Sequence, residues 1–488
     1  MTRTIPLALA FDDVLLEPGY SEVLPHMVDC TAQFSRNIKL NIPLVSAAMD
    51  TVTEHQMAIA MAEAGGIGVI HKNLSHDDQA REVAKVKRYV SGMVVNPITI
   101  TQDQSLATVR ELMQEHDVSG IPVVEPDSNK LLGIITYRDV RFAKDPHTLV
   151  KELMTTSGLV TVSGDVSHLE ARDLLHKHRI EKLIVVDENY ACVGLITFRD
   201  IDRAQTTPLA LKDLKGRLMV AAAVGVSDQE LARAEALVNA GVDALVVDTA
   251  HGHTQGVGDQ VYRLKQAYPN LDVVAGNIAT PQAAEFLYKC GADGLKVGIG
   301  PGSICTTRIV AGIGVPQFSA ILETAEMCEK LGLPLIGDGG IRSSGDIVKA
   351  LAAGATSVML GSMLAGTDES PGDIFIYQGR TYKSYRGMGS LSAMSQGSAD
   401  RYSQAGIKLN KMVPEGVEAR VPARGALSLV LHQLVGGVRS GMGYVGAQNL
   451  ESLQALATFR QITNAGLRES RVHDVEMSKE PPNYHHSE

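Results

Sequence analysis

Eight short apolar runs, each closing on small or polar residues, constrain this chain more than any other feature. They are PLVSAAM (43–49), GIGVIH (66–71), MVAAAVG (219–225), ALVVDTA (244–250), DVVAGNI (272–278), GLKVGIG (294–300), PLIGDGG (334–340) and SVMLGS (357–362). Each is nearly continuous in apolar residues, as a strand buried on both faces of a parallel sheet must be. Most are separated by a stretch with helical spacing. Four of those stretches end in glycine just before the next run: AEAGG (62–66), VNAGV (238–242), YKCGA (288–292) and LAAGA (351–355). Glycine after a helix takes the left-handed conformation at little cost. Strand and helix alternating eight times predict an α/β fold of the (β/α)8 TIM-barrel type. A doubly wound sheet is the rival, and it rarely needs eight such units.

The spacing breaks once. Between His71 and Met219 the chain runs far longer than one helix and a turn require. This insert repeats itself: residues 97–140 align with 159–201, and one residue is lost in the turn between the last two predicted strands. Each copy reads strand, helix, strand, turn, strand, helix, and paired copies of this kind bury a shared face. The expected organisation is barrel over 1–90, first repeat over 91–152, second repeat over 153–215 and barrel again over 216–488, with joins near 89–93 and 203–217. The barrel half carries one long extra segment, 373–425, rich in Gly, Ser, Arg and Tyr and with little periodicity. A long loop without structure of its own is usually functional or disordered.

Charge and cysteine usage narrow the function. Lys and Arg number 45 against 55 Asp and Glu, a formal net charge of -10. That balance disfavours non-specific nucleic-acid or anionic-membrane binding. No apolar run approaches the ~20 residues of a membrane span, and the start, MTRTIPLALAFDDVLL, does not read as a signal peptide. Five scattered cysteines without a Cys-x-x-Cys pair fit a reducing, cytoplasmic setting.

Active sites of such barrels lie at the C-terminal ends of the strands. After the sixth run comes GIGPGSICTTRIVAGIGVPQ (298–317), and Cys305 stands where a barrel nucleophile would. A lone Cys is more often a small buried hydrophobe; its Gly-rich loop and Arg308 nearby favour a thiolate instead. Bare glycines after the seventh and eighth runs, in Asp338-Gly339-Gly340 and Gly361-Ser362, let backbone N–H groups approach phosphate, and Asp338 suits a ribose diol. Together these imply a nucleoside monophosphate. After the fourth run, Asp248 is read as a cosubstrate contact; a metal at Asp248, His251 and His253 is the weaker option, because the spacing is no zinc signature.

The motifs GIGPGSICTTR, DGGIRSSGD, GSMLAGT, SYRGMGS, SADRYSQ, VPEG and RESRVHDV together resemble the IMP dehydrogenase family of the bacterial type, along nearly the whole chain. The insert resembles that family's paired CBS (Bateman) module. The resemblance implies oxidation of IMP to XMP with NAD and water, the committed step of guanine nucleotide synthesis. It assigns Cys305 as nucleophile on purine C2, Thr307 as a contact at the reaction centre, and Arg401 with Tyr402, on a mobile flap about 385–425, as activator of the hydrolytic water. On chemistry alone Arg401 reads as a phosphate clamp, since an arginine base is surprising. The implied IMP site is Ser303, Asp338, Gly339, Gly340, Gly361, Ser362, Tyr385, Arg386, Gly387, Met388, Gly389 and Glu415. NAD contacts fall on Asp248, Gly298, Ile299 and Gly300. A K+ ion is implied on the carbonyls of Gly300, Gly302 and Cys305, completed by Glu469, Ser470 and Arg471 of a neighbouring subunit. Ser403 stands where an aromatic is common in the family, which predicts weaker flap closure. In the insert, Thr136, Asp139, Thr197 and Asp200 are implied to hold an adenine or guanine nucleotide; helix capping is the plainer reading. The implied assembly is a homotetramer, with an octamer as the further option. GMP reductase is the nearest rival: it shares the Cys and phosphate loops, and Arg401-Tyr402 and the intact insert argue against it. A nucleotide-sensing protein with an inactive barrel is the rival from another class.

Overall fold

The computed structural model of the chain describes residues 5–89, 94–95, 97–116, 118–163, 166, 168–198, 207–404, 406–475, 477–478 and 481–484. These form two compact units, one of 1–86, 209–211 and 219–488, the other of 87–208 and 212–218.

In the first unit eight parallel strands close into a barrel: β1 (Leu44–Ser46), β2 (Ile67–Ile70), β3 (Ala221–Val224), β4 (Ala244–Asp248), β5 (Asp272–Ile278), β6 (Gly294–Val297), β7 (Leu335–Asp338) and β8 (Ser357–Leu360). Each lies inside one of the eight apolar runs. Nearly every residue in them is buried, which is why the runs lack an alternating polar face. The four glycines that close the predicted helices adopt positive φ, 97° at Gly65, 91° at Gly241, 99° at Gly291 and 106° at Gly354. At Gly354 a Cβ would stand 2.4 Å from that of Ala325, so space as well as conformation demands glycine. At the other end, hydroxyls of Thr254, Thr280 and Ser343 cap the helices that follow β4, β5 and β7. These short capped turns hold the strand ends, where the chemistry-bearing residues sit, in fixed positions.

The segment 373–425 is more ordered than its composition suggests. Ile374–Tyr377, Arg380–Arg386 and Glu418–Pro422 form a three-stranded antiparallel sheet. Its first hairpin turns through Gln378 and Gly379, both at positive φ (48° and 75°), as a tight two-residue turn requires. The expectation of a structureless loop fails because these strands are largely exposed and carry no continuous apolar run.

In the second unit both copies show the expected strand, helix, strand and strand, with sheets built on Gly120–Val124 with Leu131–Thr136 and on Lys182–Val186 with Cys192–Thr197, and the helix expected to close the second copy lies outside the described residues. One feature of the pairing is not visible in the repeat. Val94–Val95, ahead of the first copy, pairs with Cys192–Thr197 of the second, and Thr155, ahead of the second copy, bridges to Ile134 of the first. Each copy thus borrows an edge from the other. The shared face holds Val124, Leu131, Ile184, Cys192 and Leu195. Among the described residues no helix is long and apolar enough to cross a membrane.

Candidate active site

At the C-terminal ends of the barrel strands one cavity gathers most of the predicted residues. Its lining includes Cys305 and Thr307 from the loop after β6, Asp338, Gly339 and Gly340 after β7, Gly361 and Ser362 after β8, and Asp248 at the end of β4. Gly298, Ile299, Gly300 and Gly302 also line it, with Tyr385, Gly387, Met388, Arg401, Tyr402 and Glu415 from the 373–425 segment. With Arg401 and Tyr402 reaching in, the cavity measures about 140 Å³, below the roughly 300–1,000 Å³ of ordinary ligand pockets. The structure therefore shows the segment closed over its site.

The Cys loop is held by backbone pairing to the lid. Cys305 bridges Gly416, Thr306 N donates to Glu415 O at 3.0 Å, and Val417 N donates to Ile304 O at 3.0 Å. Side chains then form a short chain: the Cys305 thiol donates to Thr307 Oγ1 at 3.2 Å, and Thr307 Oγ1 donates to Glu415 Oε2 at 2.7 Å. A thiol proton thus has a hydroxyl to pass to and a carboxylate to end on. Arg308 does not touch the thiol. Its guanidinium donates to Ile299 O at 3.3 Å and to Val315 O at 2.6 Å, lacing the loop together. Burial pushes its pKa down, and the charge of nearby Cys305 opposes that. The expected contact is therefore a field at a distance, and the loop's shape is the arginine's direct work.

Two strand residues that pattern reading passed over organise the floor. Lys296 on β6 is almost wholly buried, with Nζ 2.9 Å from Asp248 Oδ1 and 2.7 Å from Asp338 Oδ2. Asn277 on β5 accepts from Lys296 and donates to Asp338 Oδ2 at 2.9 Å. One cation thus holds both predicted carboxylates in place. The signal was present: Asn277 and Lys296 are polar side chains inside apolar runs. The second oxygen of Asp248 pairs with Arg401. Ala250 N donates to Arg401 O at 3.1 Å, so backbone and side chain of this lid residue both dock on the end of β4.

On the far side, Tyr385 is buried, and its hydroxyl donates to Met49 Sδ at 3.9 Å. Burial drives its phenol pKa well up, with nearby Ser303 opposing, so it remains a donor. A Cβ on Gly361 would stand 2.9 Å from Tyr385 Oη, and Gly339 and Gly340 adopt φ of 88° and 77° against Pro301. This is a donor-lined hollow without side chains in the way. Desolvation likewise raises Tyr402, with the Arg401 charge opposing. Tyr402 packs on Gly389, where a Cβ would stand 2.8 Å from its ring.

Several predicted residues lie elsewhere. Arg386 does not line the cavity: its guanidinium forks onto Asp50, at 2.7 and 3.1 Å, and reaches Gln396 at 2.5 Å. It ties the lid sheet to the loop after β1. Glu469, Ser470 and Arg471 are exposed at the end of helix Asn464–Glu469, and Ser470 caps it through Gly466 O. Thr136 donates its hydroxyl to Asp139 at 2.7 Å and its N–H to the same carboxylate at 2.8 Å, a capping pair for Tyr137–Val140. Thr197 ends its strand, and Asp200 falls outside the described residues. His251 and His253 are exposed and meet edge to face, with His253 on Phe286 at 5.3 Å.

The family model for the IMP dehydrogenase / GMP reductase domain matches residues 8–473. The chain belongs to this family. It is 55% identical to the inosine-5'-monophosphate dehydrogenase of Chlorobaculum parvum, over 99% of both chains. It is 54% identical to that of Aquifex aeolicus, over 99% of this chain and 98% of the relative. Among solved structures, a cysteine-to-alanine variant of Trypanosoma brucei GMP reductase in complex with guanosine 5'-monophosphate superposes with a TM-score of 0.88 at 43% identity. The match covers 97% of this chain and 99% of that one. Coverage that complete leaves too little unmatched chain for the insert to be missing there. The insert therefore does not separate this family's two reactions, contrary to the expectation from sequence.

Proposed function

We propose that this chain oxidises IMP to XMP, with NAD+ accepting the hydride and water supplying the new oxygen. The observation that carries it is Arg401 docked on Asp248 above the Cys305–Thr307–Glu415 chain. The Cys305 sulfur adds to purine C2 as its proton passes toward Thr307 and Glu415. The C2 hydride leaves for the nicotinamide, and the purine stays bonded to sulfur. Hydrolysis needs water at that carbon, so Arg401 and Tyr402 take the position that the dinucleotide vacates; Asp248 serves the dinucleotide first and Arg401 second. The water's oxygen bonds C2 as one of its protons passes to the Arg401–Asp248 pair, and the C2–S bond breaks with its electrons on sulfur, which takes its proton back through Thr307 from Glu415 as XMP leaves. Asp338, held by Lys296 and Asn277, takes the ribose diol. Ser303, Tyr385 and the glycines after β7 and β8 take the phosphate. Gly298, Ile299 and Gly300 border the dinucleotide.

A K+ ion fits the donor chemistry of the Cys loop. Gly300, Gly302 and Cys305 offer backbone carbonyls, hard donors suited to a monovalent cation, although Gly302 O already accepts from Cys305 N at 3.1 Å. There it would brace the loop. Resemblance also supports Glu469–Arg471 of a second subunit in that site, a homotetramer, and a purine nucleotide near Thr136, Asp139, Thr197 and Asp200.

Rapid mixing with IMP and NAD+ tests the reading. About one NADH per subunit should form in a burst, with a purine adduct on Cys305 by mass. Cys305→Ala should abolish both and leave IMP binding intact. NADPH-dependent consumption of GMP, with no NADH from IMP, would establish the reductase instead.

A further inference from the structure

Beside Arg401 the lid carries a second charge whose partner no step above uses. Asp400 sits on the short turn Ser398–Tyr402, and its Oδ1 pairs with Lys72 Nζ. Lys72 lies two residues past the end of β2, and only 6% of its side chain is exposed. Both ends of the contact are set by other groups. The Arg233 guanidinium donates twice to Leu74 O, at 3.2 Å each, and to Gln79 Oε1 at 2.7 Å, which fixes the loop bearing Lys72. Asn73 donates to Asp50 at 2.7 Å. Gly225, after β3, donates its N–H to Glu230 at 2.6 Å, and a Cβ there would stand 2.5 Å from Asp400 Oδ2. Asp400 therefore enters a socket built by the loops after β2 and β3. Two buried barrel groups, Lys72 and Asp248, grip consecutive lid residues.

We infer that Lys72 is a positioning residue for hydrolysis: its pairing with Asp400 holds the lid closed so that Arg401 reaches the adduct. The inference rests on Arg401 acting in the hydrolytic step. Lys72 touches neither Cys305 nor the carboxylates beneath it, so the first half-reaction does not need it. An open lid leaves Asp248 free for the dinucleotide, so weakening the pair should favour bound NAD+ over water.

The experiment compares full-length Lys72→Met, Asp400→Asn, their double variant, Lys72→Arg and Arg401→Ala in rapid mixing with IMP and NAD+. For Lys72→Met and Asp400→Asn the NADH burst should keep its rate and amplitude, which also reports a folded site. Adduct decay should slow by roughly 10–100-fold, the worth of one charge-assisted hydrogen bond. Adduct should accumulate on Cys305, excess NAD+ should inhibit more strongly, and the KM for IMP should fall in step with kcat, leaving kcat/KM unchanged. The double variant should be no slower than the slower single one, and Lys72→Arg should recover most of the rate. A slowed burst would overturn the inference, because Lys72 would then serve substrate binding or the barrel itself. Unchanged adduct decay, or losses that multiply in the double variant, would overturn it too. Arg401→Ala separates the two levels. If it builds up adduct and Lys72→Met does not, only the latch falls; if neither does, the role of Arg401 falls, and the latch with it.

Discussion

The barrel wall and the lid meet at one cavity but are built on opposite terms. The wall consists of strands buried on both faces, and its functional side chains are clamped from below: Lys296 pairs with both Asp248 and Asp338, and Asn277 donates to Asp338 as well. The lid is a largely exposed sheet and a few turns, held by backbone pairing to the Cys loop and by discrete side-chain contacts, Arg386 on Asp50, Asp400 on Lys72 and Arg401 on Asp248. A wall of this kind keeps one geometry. The turn Ser398–Tyr402, held by two charge pairs, can be released and re-formed at modest cost. On the reading proposed above, two half-reactions that need different occupants of one position call for both kinds of construction.

Removing the lid's reaching residue should separate the two most sharply. Arg401→Ala should leave the NADH burst intact and slow steady turnover by roughly 10²–10⁴-fold, the usual worth of a proton-transfer group. Adduct mass read beside the burst decides it: a slowed burst without adduct would make Arg401 a substrate clamp. The wall should respond differently. Lys296→Met leaves Asp338 without its cation and Asp248 with Arg401 of the lid alone. Breaking a buried pair in this way costs about 3–5 kcal/mol, so thermal unfolding should shift down markedly and IMP affinity should fall. The burst should shrink along with turnover, because the wall serves both steps. A Lys296→Met chain with normal stability and affinity would show that the carboxylates hold themselves.

The same contrast explains what could be read from residues alone. The eight strands were legible because burial on both faces leaves unbroken apolar runs, and the four glycines at positive φ marked the helix ends. Cys305, Asp338 and Gly361 followed from their places after strands. The lid sheet was not legible, because exposed short strands leave no such run. The roles of Arg386 and Lys72 depend on partners more than 300 residues away in sequence, Asp50 and Asp400, and no local pattern reports those. Lys296 lay in plain view as a charge inside an apolar run.

The wall should also be the acid-sensitive part. Glu82, on helix His76–Arg88, accepts from His55 N at 2.8 Å and from the His55 ring at 2.7 Å, with Lys85 at 2.9 Å. Burial alone would raise its pKa, but these donors outweigh that and hold it down at about 2. A carboxylate depressed below its unfolded value stabilises the fold above that value, near 4.3, and loses the contribution as pH falls toward 2. Glu82→Gln should therefore cost about 3 kcal/mol at neutral pH and almost nothing near pH 2. Urea unfolding of both chains across that range checks it, and a cost that stays constant with pH would remove the ion pair as its source.

The smallest effect should come from the lid's own backbone. Ser403 follows Tyr402 at φ 56° and is exposed, so its conformation is strained and its side chain is free to change. Its N–H donates to Asp400 O at 3.1 Å, closing the turn that presents Arg401. Left-handed backbone costs a non-glycine residue about 1 kcal/mol or more, and most for a β-branched one. Ser403→Gly should ease the closed turn, although glycine also frees the open segment, so the net gain in adduct hydrolysis should be only about two- to fivefold. Ser403→Val should lose a similar factor or more. Neither should alter the NADH burst, since the turn bears on the lid and not on the wall. Opposite shifts in adduct decay at constant burst would show that closure of this turn limits hydrolysis. If both variants decay at the parent rate, closure is already complete, and the chemistry beneath Arg401 sets the pace.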